Sequence, residues 1–354
     1  MKNPFTTTFS KLPEYTYIAT SKTDEILENF SYDLPSESVY KITGVRGSGK
    51  TVILAKIEEA LREQAGWIVI DLNPTRDVLG QIAALLHKEG YGASNVKARS
   101  ANVSATVLGT GAQLGFSKES ENPYFDIGIE VEEMIKESVR DSKKILIGID
   151  EISKTEEMVV FTSEYGRWLR AGYPVYLVCT GLYENINDLS NVKNLTFFRR
   201  ATTIQTEPLN LVRMTEMYRK FLEVNQEEAL LLAKMTRGYA YAFQELGVIY
   251  FKNNKSMPLE DLTMDLKAEL FAYSYEKIWE ELSPSDRFLV KILSSKDDLK
   301  REEILQLMGD KSANYSVYRD RLLRRGIIGV TKYGHVSLVL PYFSEYVKEY
   351  CLER

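Results

Sequence analysis

The sequence predicts an α/β fold: a parallel five-stranded sheet covered by helices, with an inserted β-hairpin, a small helical domain after it and a C-terminal winged helix. Three observations predict it. Five short β-rich runs recur within the first 206 residues, helical periodicity fills the gaps between them, and strand signals then stop until two short runs near the end.

The runs are "SVYKIT" (38–43), "WIVIDL" (67–72), "KILIGID" (144–150), "VYLVCT" (175–180) and "ATTIQT" (201–206). The first four are nearly continuous in Val, Ile and Leu, the pattern of strands buried on both faces of a parallel sheet. Helical patterns lie at 51–64, where Val52, Ile53, Ala55, Ile57 and Leu61 share a face, at 77–89 with Asp77 as N-cap, and at 127–142. The stretch "ANVSATVLGTGAQLGFSKES" (101–120) has no helical period and turns at "GTG", so it reads as the inserted hairpin. A packed decoration of the core, a solvated arm, a partner contact and a DNA-touching hairpin all remain open for it.

Beyond 206, "PLNLVRMTEMYRKFLEV", "EEALLLAKM", "GYAYAFQELGVIYFK" and "EDLTMDLKAELFAYSYEKIWEEL" are successive amphipathic helices, which makes 207–282 a helical domain. "SPSD" with Pro284 marks a boundary. Three further helical patterns and the strands "IIGVTK" and "VSLVLP", joined at Tyr333-Gly334, give 283–354 the outline of a winged helix.

A chain of 354 residues fits two or three domains, and 44% hydrophobic with 27% charged residues is a soluble globular composition. The net charge of −5 provides no global attraction to nucleic acid. No apolar run approaches the ~20 residues that span a bilayer, and "MKNPFTTTFSKLPEY" lacks the apolar stretch of a secretory signal. Only Cys179, Cys351, His87 and His335 offer soft ligands, which argues against a disulfide framework or a zinc site and for a reducing cytoplasm without membrane association.

"GVRGSGKT" (44–51) satisfies G-x-x-x-x-G-K-T/S between a strand and a helix, the P-loop pattern. Gly44, Gly47 and Gly49 let the backbone wrap closely, so that the loop from Gly44 through Arg46, Gly47, Ser48 and Gly49 to Lys50, Thr51 and Val52 cradles phosphates at a helix N-terminus. Lys50 reaches the β- and γ-phosphates and Thr51 takes a place on Mg²⁺. "ILIGIDEIS" (145–153) ends a buried strand in Asp150, suited to the magnesium shell, and Glu151, suited to polarising water.

The pair "GVRGSGKT" and "LIGIDEIS" resembles the AAA+ branch of P-loop ATPases, and the resemblance extends along most of the chain. "VYLVCTGLYENI" (175–186) resembles the sensor 1 strand, which implies a catalytic role for Thr180. "LTFFRRATTIQTEPLN" (195–210) resembles the segment with the arginine finger, which makes Arg199 and Arg200 candidates to act on a neighbour's nucleotide in an ATP-dependent homo-oligomer; pairing with surface carboxylates is the other reading of them. "TRGYAYAFQELG" (236–247) and the winged helix are similar to the origin-recognition-like and STAND-related members. The opening segment (3–22) resembles their N-terminal linker over the adenine, which implies adenine contacts at Tyr17 and Ile18. The implied organisation is an ATP-binding core at 1–206 with a linker at 1–35, a lid at 207–282 and a winged helix at 283–354. One departure matters: "GYAYAFQ" lacks the lid arginine, and only Arg237 stands before Gly238.

The helix at 313–325 carries Arg319, Arg321, Arg324 and Arg325, with Lys311 just before it, Asn314, Tyr315 and Tyr318 at its leading end, and Lys332 and His335 on the wing. Such a helix suits double-stranded DNA, and winged helices also bind proteins. Two functions follow: an ATP hydrolase coupled to DNA binding or remodelling, or a slow ATP-dependent signalling or defence switch with protein partners.

Overall fold

The computed structural model describes residues 2–8, 12–92, 126–193, 195–253, 256–330 and 332–352. The expected hairpin at 101–120 lies outside the described residues. The chain divides into two compact units, one of Met1–Glu25, Thr43–Ile53 and Gln205–Arg354, the other of Ile26–Ile42 and Leu54–Ile204.

Up to residue 205 the chain runs α1 (Ser21–Ser31), β1 (Val39–Thr43), α2 (Lys50–Arg62), β2 (Trp67–Leu72), α3 (Val78–Lys88), α4 (Ile127–Arg140), β3 (Lys144–Ile149), α5 (Glu156–Arg170), β4 (Val175–Gly181), α6 (Tyr183–Ser190), α7 (Thr196–Arg200) and β5 (Thr202–Gln205). The strands form one parallel α/β sheet of order β2-β3-β4-β1-β5. Trp67 to Leu72 of β2 lie opposite Lys144 to Ile149 of β3, and Ile145 to Ile149 of β3 lie opposite Val175 to Cys179 of β4. On the far side of β4, Leu177 N–H donates to Ser38 O at 2.9 Å and Cys179 Sγ lies 3.7 Å from Tyr40 O, so β1 runs in the same direction.

This order explains the apolar pattern. β1 and β4 are interior strands and are buried throughout, whereas β2 is an edge strand and alternates, with Ile68, Ile70 and Leu72 inside. Three of these helices start where short polar side chains cap them. Asp77 accepts from Gly80 N, as the sequence predicts; Asp126 accepts from Ile129 N and Thr155 from Met158 N. α5 was not anticipated. Its inward face is Met158, Phe161, Tyr165 and Trp168, all at most 1% exposed, and it packs into the core formed by the strands and α3.

The other unit continues with α8 (Leu211–Leu222), α9 (Gln226–Met235), α10 (Ala240–Lys252), α11 (Leu259–Leu270), a π-helical turn at Phe271–Tyr275, α12 (Glu276–Glu280), α13 (Pro284–Ser294), β6 (Leu299–Lys300), α14 (Arg301–Met308), a 3₁₀ turn at Gly309–Asn314, α15 (Tyr315–Arg325), β7 (Ile328–Val330), β8 (His335–Leu338) and α16 (Phe343–Tyr350). The amphipathic pattern at 260–282 is thus one helical rod interrupted by a π turn. β7 and β8 pair antiparallel as expected, and the two-residue β6 joins them in a sheet of order β6-β8-β7. One apolar core runs through these helices, from Met214, Tyr218 and Phe243 to Leu266, Tyr275, Leu289, Leu322, Phe343 and Val347. The N-terminal segment belongs to it: Phe5 fills the notch left by Gly247, where any Cβ would collide with its ring, and Gln244 Oε1 accepts from Thr6 N and Thr16 Oγ1, each at 3.1 Å. No described helix is long and apolar enough to cross a membrane.

Candidate functional site

β1 ends at Thr43 and α2 begins at Lys50, so residues 44–49 make the intervening loop. Gly47 at φ +75° and Gly49 at φ +92° occupy the left-handed region that only glycine enters freely. Gly44 is required for a different reason: a Cβ there would collide with Thr206 Oγ1. Thr206 is fixed by its own N–H on Thr43 O (2.8 Å) and by its hydroxyl on Ser48 Oγ (2.9 Å), and Ser48 N closes the loop on Val45 O at 3.1 Å. The buried Lys50 ammonium donates to Gly44 O (3.2 Å) and Val45 O (3.3 Å). Thr51 and Val52 stand half-buried in the first turn of α2.

The outside of the same loop is held by residues far along the chain. Tyr241 N donates to Gly47 O at 3.0 Å, Tyr239 Oη donates to Arg46 O at 2.7 Å, and Arg46 Nη2 meets Glu281 Oε1 at 2.9 Å. Tyr239 and Tyr241 open α10 after a turn with Arg237 at φ +49° and Gly238 at φ +78°. This is the stretch that lacks the arginine of the resembled family. Sequence reasoning registered the missing arginine and overlooked the tyrosines, whose signal was two aromatic residues at a helix start.

In the sheet unit, Asp150 and Glu151 follow β3, and Thr180 stands fully buried near the end of β4. The Thr180 hydroxyl donates to Asp150 Oδ1 and accepts from Glu151 N (3.1 Å), and its carbonyl accepts from Ile152 N (2.8 Å). One side chain therefore orients the carboxylate and clamps the turn in which Glu151, exposed, adopts φ +53°.

Two charged residues that sequence reasoning missed are buried in this unit. Glu58 on α2 is 4% exposed and lies against Gly148 of β3, where a Cβ would collide with its Oε1; Arg62 holds Oε2 at 3.1 Å. Burial first, then the negative charge of Asp71, pushes its carboxyl up to about 7, against the pull of Arg62. Lys41, 2% exposed in β1, donates to Phe198 O at 2.6 Å and sits 5.1 Å from the Phe198 ring centroid. Burial pulls its ammonium below the usual lysine range. Phe198 precedes Arg199 and Arg200, which are both exposed on α7. The signal for Lys41 was a charge inside the continuous apolar run "SVYKIT".

Of the adenine candidates, Ile18 is buried in the apolar core and Tyr17 Oη lies 3.5 Å from Thr23 Oγ1. The C-terminal candidates fall into two groups. Arg321 grips the fully buried Asp286 carboxylate of α13 through Nε (2.8 Å) and Nη2 (2.6 Å), and Arg325 donates to Glu281 O at 3.1 Å. Lys311, Asn314 and Arg324 are exposed and Arg319 is half-buried; Lys311 stands over the Phe288 ring at 4.4 Å and Arg324 pairs with Asp320 at 2.9 Å. On the wing, Lys332 (3.4 Å) and His335 (2.9 Å) both reach Asp298.

A glycine loop with the P-loop sequence pattern thus stands between a buried strand and a helix, in a chain whose sheet runs β2-β3-β4-β1-β5. The chain is similar to several solved structures. Cdc6p from Pyrobaculum aerophilum is 13% identical, with 95% of this chain and 97% of that one covered and a TM-score of 0.47. The ORC2 protein of Aeropyrum pernix in its ADP form is 12% identical over 96% of this chain and 95% of that one, at 0.48. The ORC1 protein of Aeropyrum pernix in complex with DNA is 16% identical over 96% and 95%, at 0.45. Residues 272–347 match a family described as a domain of unknown function (DUF8462). No curated protein matches the sequence.

Proposed function

We propose that the protein is an AAA+-type ATP hydrolase, with residues 44–52 binding the nucleotide phosphates and Glu151 polarising the attacking water. The observation that carries this reading is the loop itself: glycines at positive φ leading into α2, with the Lys50 ammonium folded onto the loop's own carbonyl oxygens. The Thr51 hydroxyl and the Asp150 carboxylate are hard oxygen donors of the type Mg²⁺ takes beside phosphate and water, so the residues present fit the ion, which would neutralise charge on the phosphates. Thr180 orients Asp150. The proposed domains are the core at 1–206, the lid at 207–282 and the winged helix at 283–354, with Tyr17 and Ile18 toward the adenine.

In this reading hydrolysis is coupled to double-stranded DNA through Lys311, Asn314, Arg319, Arg324 and Lys332. The engagement of Arg321 with Asp286 and of Arg325 with Glu281 favours a second reading, in which the winged helix docks protein partners and ATP acts as a slow switch. ATP turnover with and without duplex DNA at low salt separates the two. Lys50→Ala is expected to abolish binding, and Glu151→Gln to bind but turn over roughly 100-fold slower or worse. Undiminished hydrolysis by Glu151→Gln removes the catalytic assignment. Duplex DNA that neither binds nor changes turnover leaves the switch.

A further inference from the structure

Resting on the reading of residues 44–52 as the nucleotide loop, we propose that Tyr239 is a positioning residue of that loop: its hydroxyl holds the Arg46 carbonyl and thereby aims the Gly47 N–H at the bound phosphates. A trans peptide is planar, with C=O and N–H pointing in opposite directions. The Tyr239 hydroxyl at 2.7 Å from Arg46 O therefore fixes where the Gly47 N–H points, which is away from the tyrosine. Tyr241 N holds the next carbonyl, Gly47 O, at 3.0 Å, while the Ser48 N–H of that peptide closes on Val45 O at 3.1 Å. Loops that bind anions work by converging such N–H groups before the ligand arrives.

Tyr239 is built for the task. Its ring is 6% exposed and stacks on Tyr275 with centroids 6.5 Å apart and planes at 26°. Burial raises its phenol above the ordinary value, which keeps it a hydrogen-bond donor. Gly47 has no side chain because a Cβ would collide with the same hydroxyl. The hydroxyl is also fixed from behind, 2.6 Å from Ser274 Oγ. Ser274 lies in the π-helical turn, which adds a residue to the helical circuit and brings both Ser274 and Tyr275 to the buried side. Such turns inside helices are frequent at functional positions. The lid that lacks a phosphate-touching arginine thus acts on the loop backbone.

Tyr239→Phe keeps the ring and deletes the hydroxyl. In calorimetric titrations its Kd for MgADP and for MgATP is expected to rise about tenfold alike, the loss of one buried hydrogen bond. Its melting temperature without nucleotide is expected to stay within about 2 °C of wild type. Ser274→Ala alone is expected to weaken binding about threefold and to add nothing in the Tyr239→Phe background, because it acts through the hydroxyl. Wild-type affinity in Tyr239→Phe, or additive effects of the two substitutions, overturns the proposal while Lys50→Ala still loses nucleotide. Should Tyr239→Phe prove unstable, Ser274→Ala, which leaves the ring packing intact, must still weaken binding or the proposal falls. Failure of the wild-type protein to bind either nucleotide, or undiminished binding by Lys50→Ala, removes the reading of the loop and the proposal with it.

Discussion

Glu58 places a carboxyl group where α2 packs on β3, held by Arg62 at 3.1 Å and repelled by the charge of Asp71. Because its folded pKa of about 7 lies above the ordinary 4.5, the fold favours the protonated acid. The contribution is present in full below about pH 4.5 and is lost as pH rises through about 7. Glu58→Gln, permanently neutral, is therefore expected to stabilise the protein by the order of 2 kcal/mol at pH 8 and to change little at pH 5. Urea midpoints at the two pH values check this, and an equal effect at both would remove the burial account. At this scale the sequence was readable where chemistry demands a residue type: the loop glycines and Asp150-Glu151 stand out because few other residues suit those positions. Glu58 and Lys41 were not readable, because a charge on a mainly apolar face acquires its meaning from a partner distant in sequence, Gly148 for one and Phe198 for the other.

Most elements with a clear periodicity were legible, α5 (Glu156–Arg170) being an exception. β1, β3 and β4 showed through continuous apolar runs, and α3 through its face and its Asp77 cap. β6, with two residues, has no periodicity to read and exists because β8 offers it a partner edge. The π turn at 271–275 went unread as well, since helical patterns continue on both sides of it. α15 illustrates a subtler limit. Its four arginines read as one basic surface, yet Arg321 points inward to tie α15 to α13 through Asp286, whose carboxylate also accepts from Ser283 Oγ at 2.8 Å. Removing one partner of a buried ion pair leaves the other charge stranded. Arg321→Ala is thus expected to cost about 3 kcal/mol in urea unfolding, and Arg321→Met with Asp286→Leu to recover most of it. A loss below 1 kcal/mol would return Arg321 to the group of exposed cations open to DNA.

For the molecule as a whole, the proposed reading as an ATP hydrolase raises the question of where positive charge for the reaction would come from. In many P-loop enzymes transition-state charge on the leaving phosphates requires cations beyond the loop lysine and Mg²⁺, and the stretch "GYAYAFQ" offers tyrosines instead. Arg199 and Arg200, the candidates the resemblance implies, are both exposed on α7. The carbonyl just before them is held by Lys41, an ammonium kept inside the sheet although burial opposes its charge. Spending a buried charge on a five-residue helix makes sense if the orientation of that helix matters. Should the arginines serve the nucleotide of a second copy, specific ATPase activity will rise with protein concentration. A mixture of Lys50→Ala, which keeps its arginines but binds no ATP, with the double variant Arg199→Ala/Arg200→Ala, which keeps its loop, will then regain turnover that neither shows alone. The expected recovery is at least tenfold over the sum of the separate activities, because an arginine finger contributes about 10³ or more to turnover. A mixture no faster than that sum, with both variants folded, assigns the two arginines to the surface.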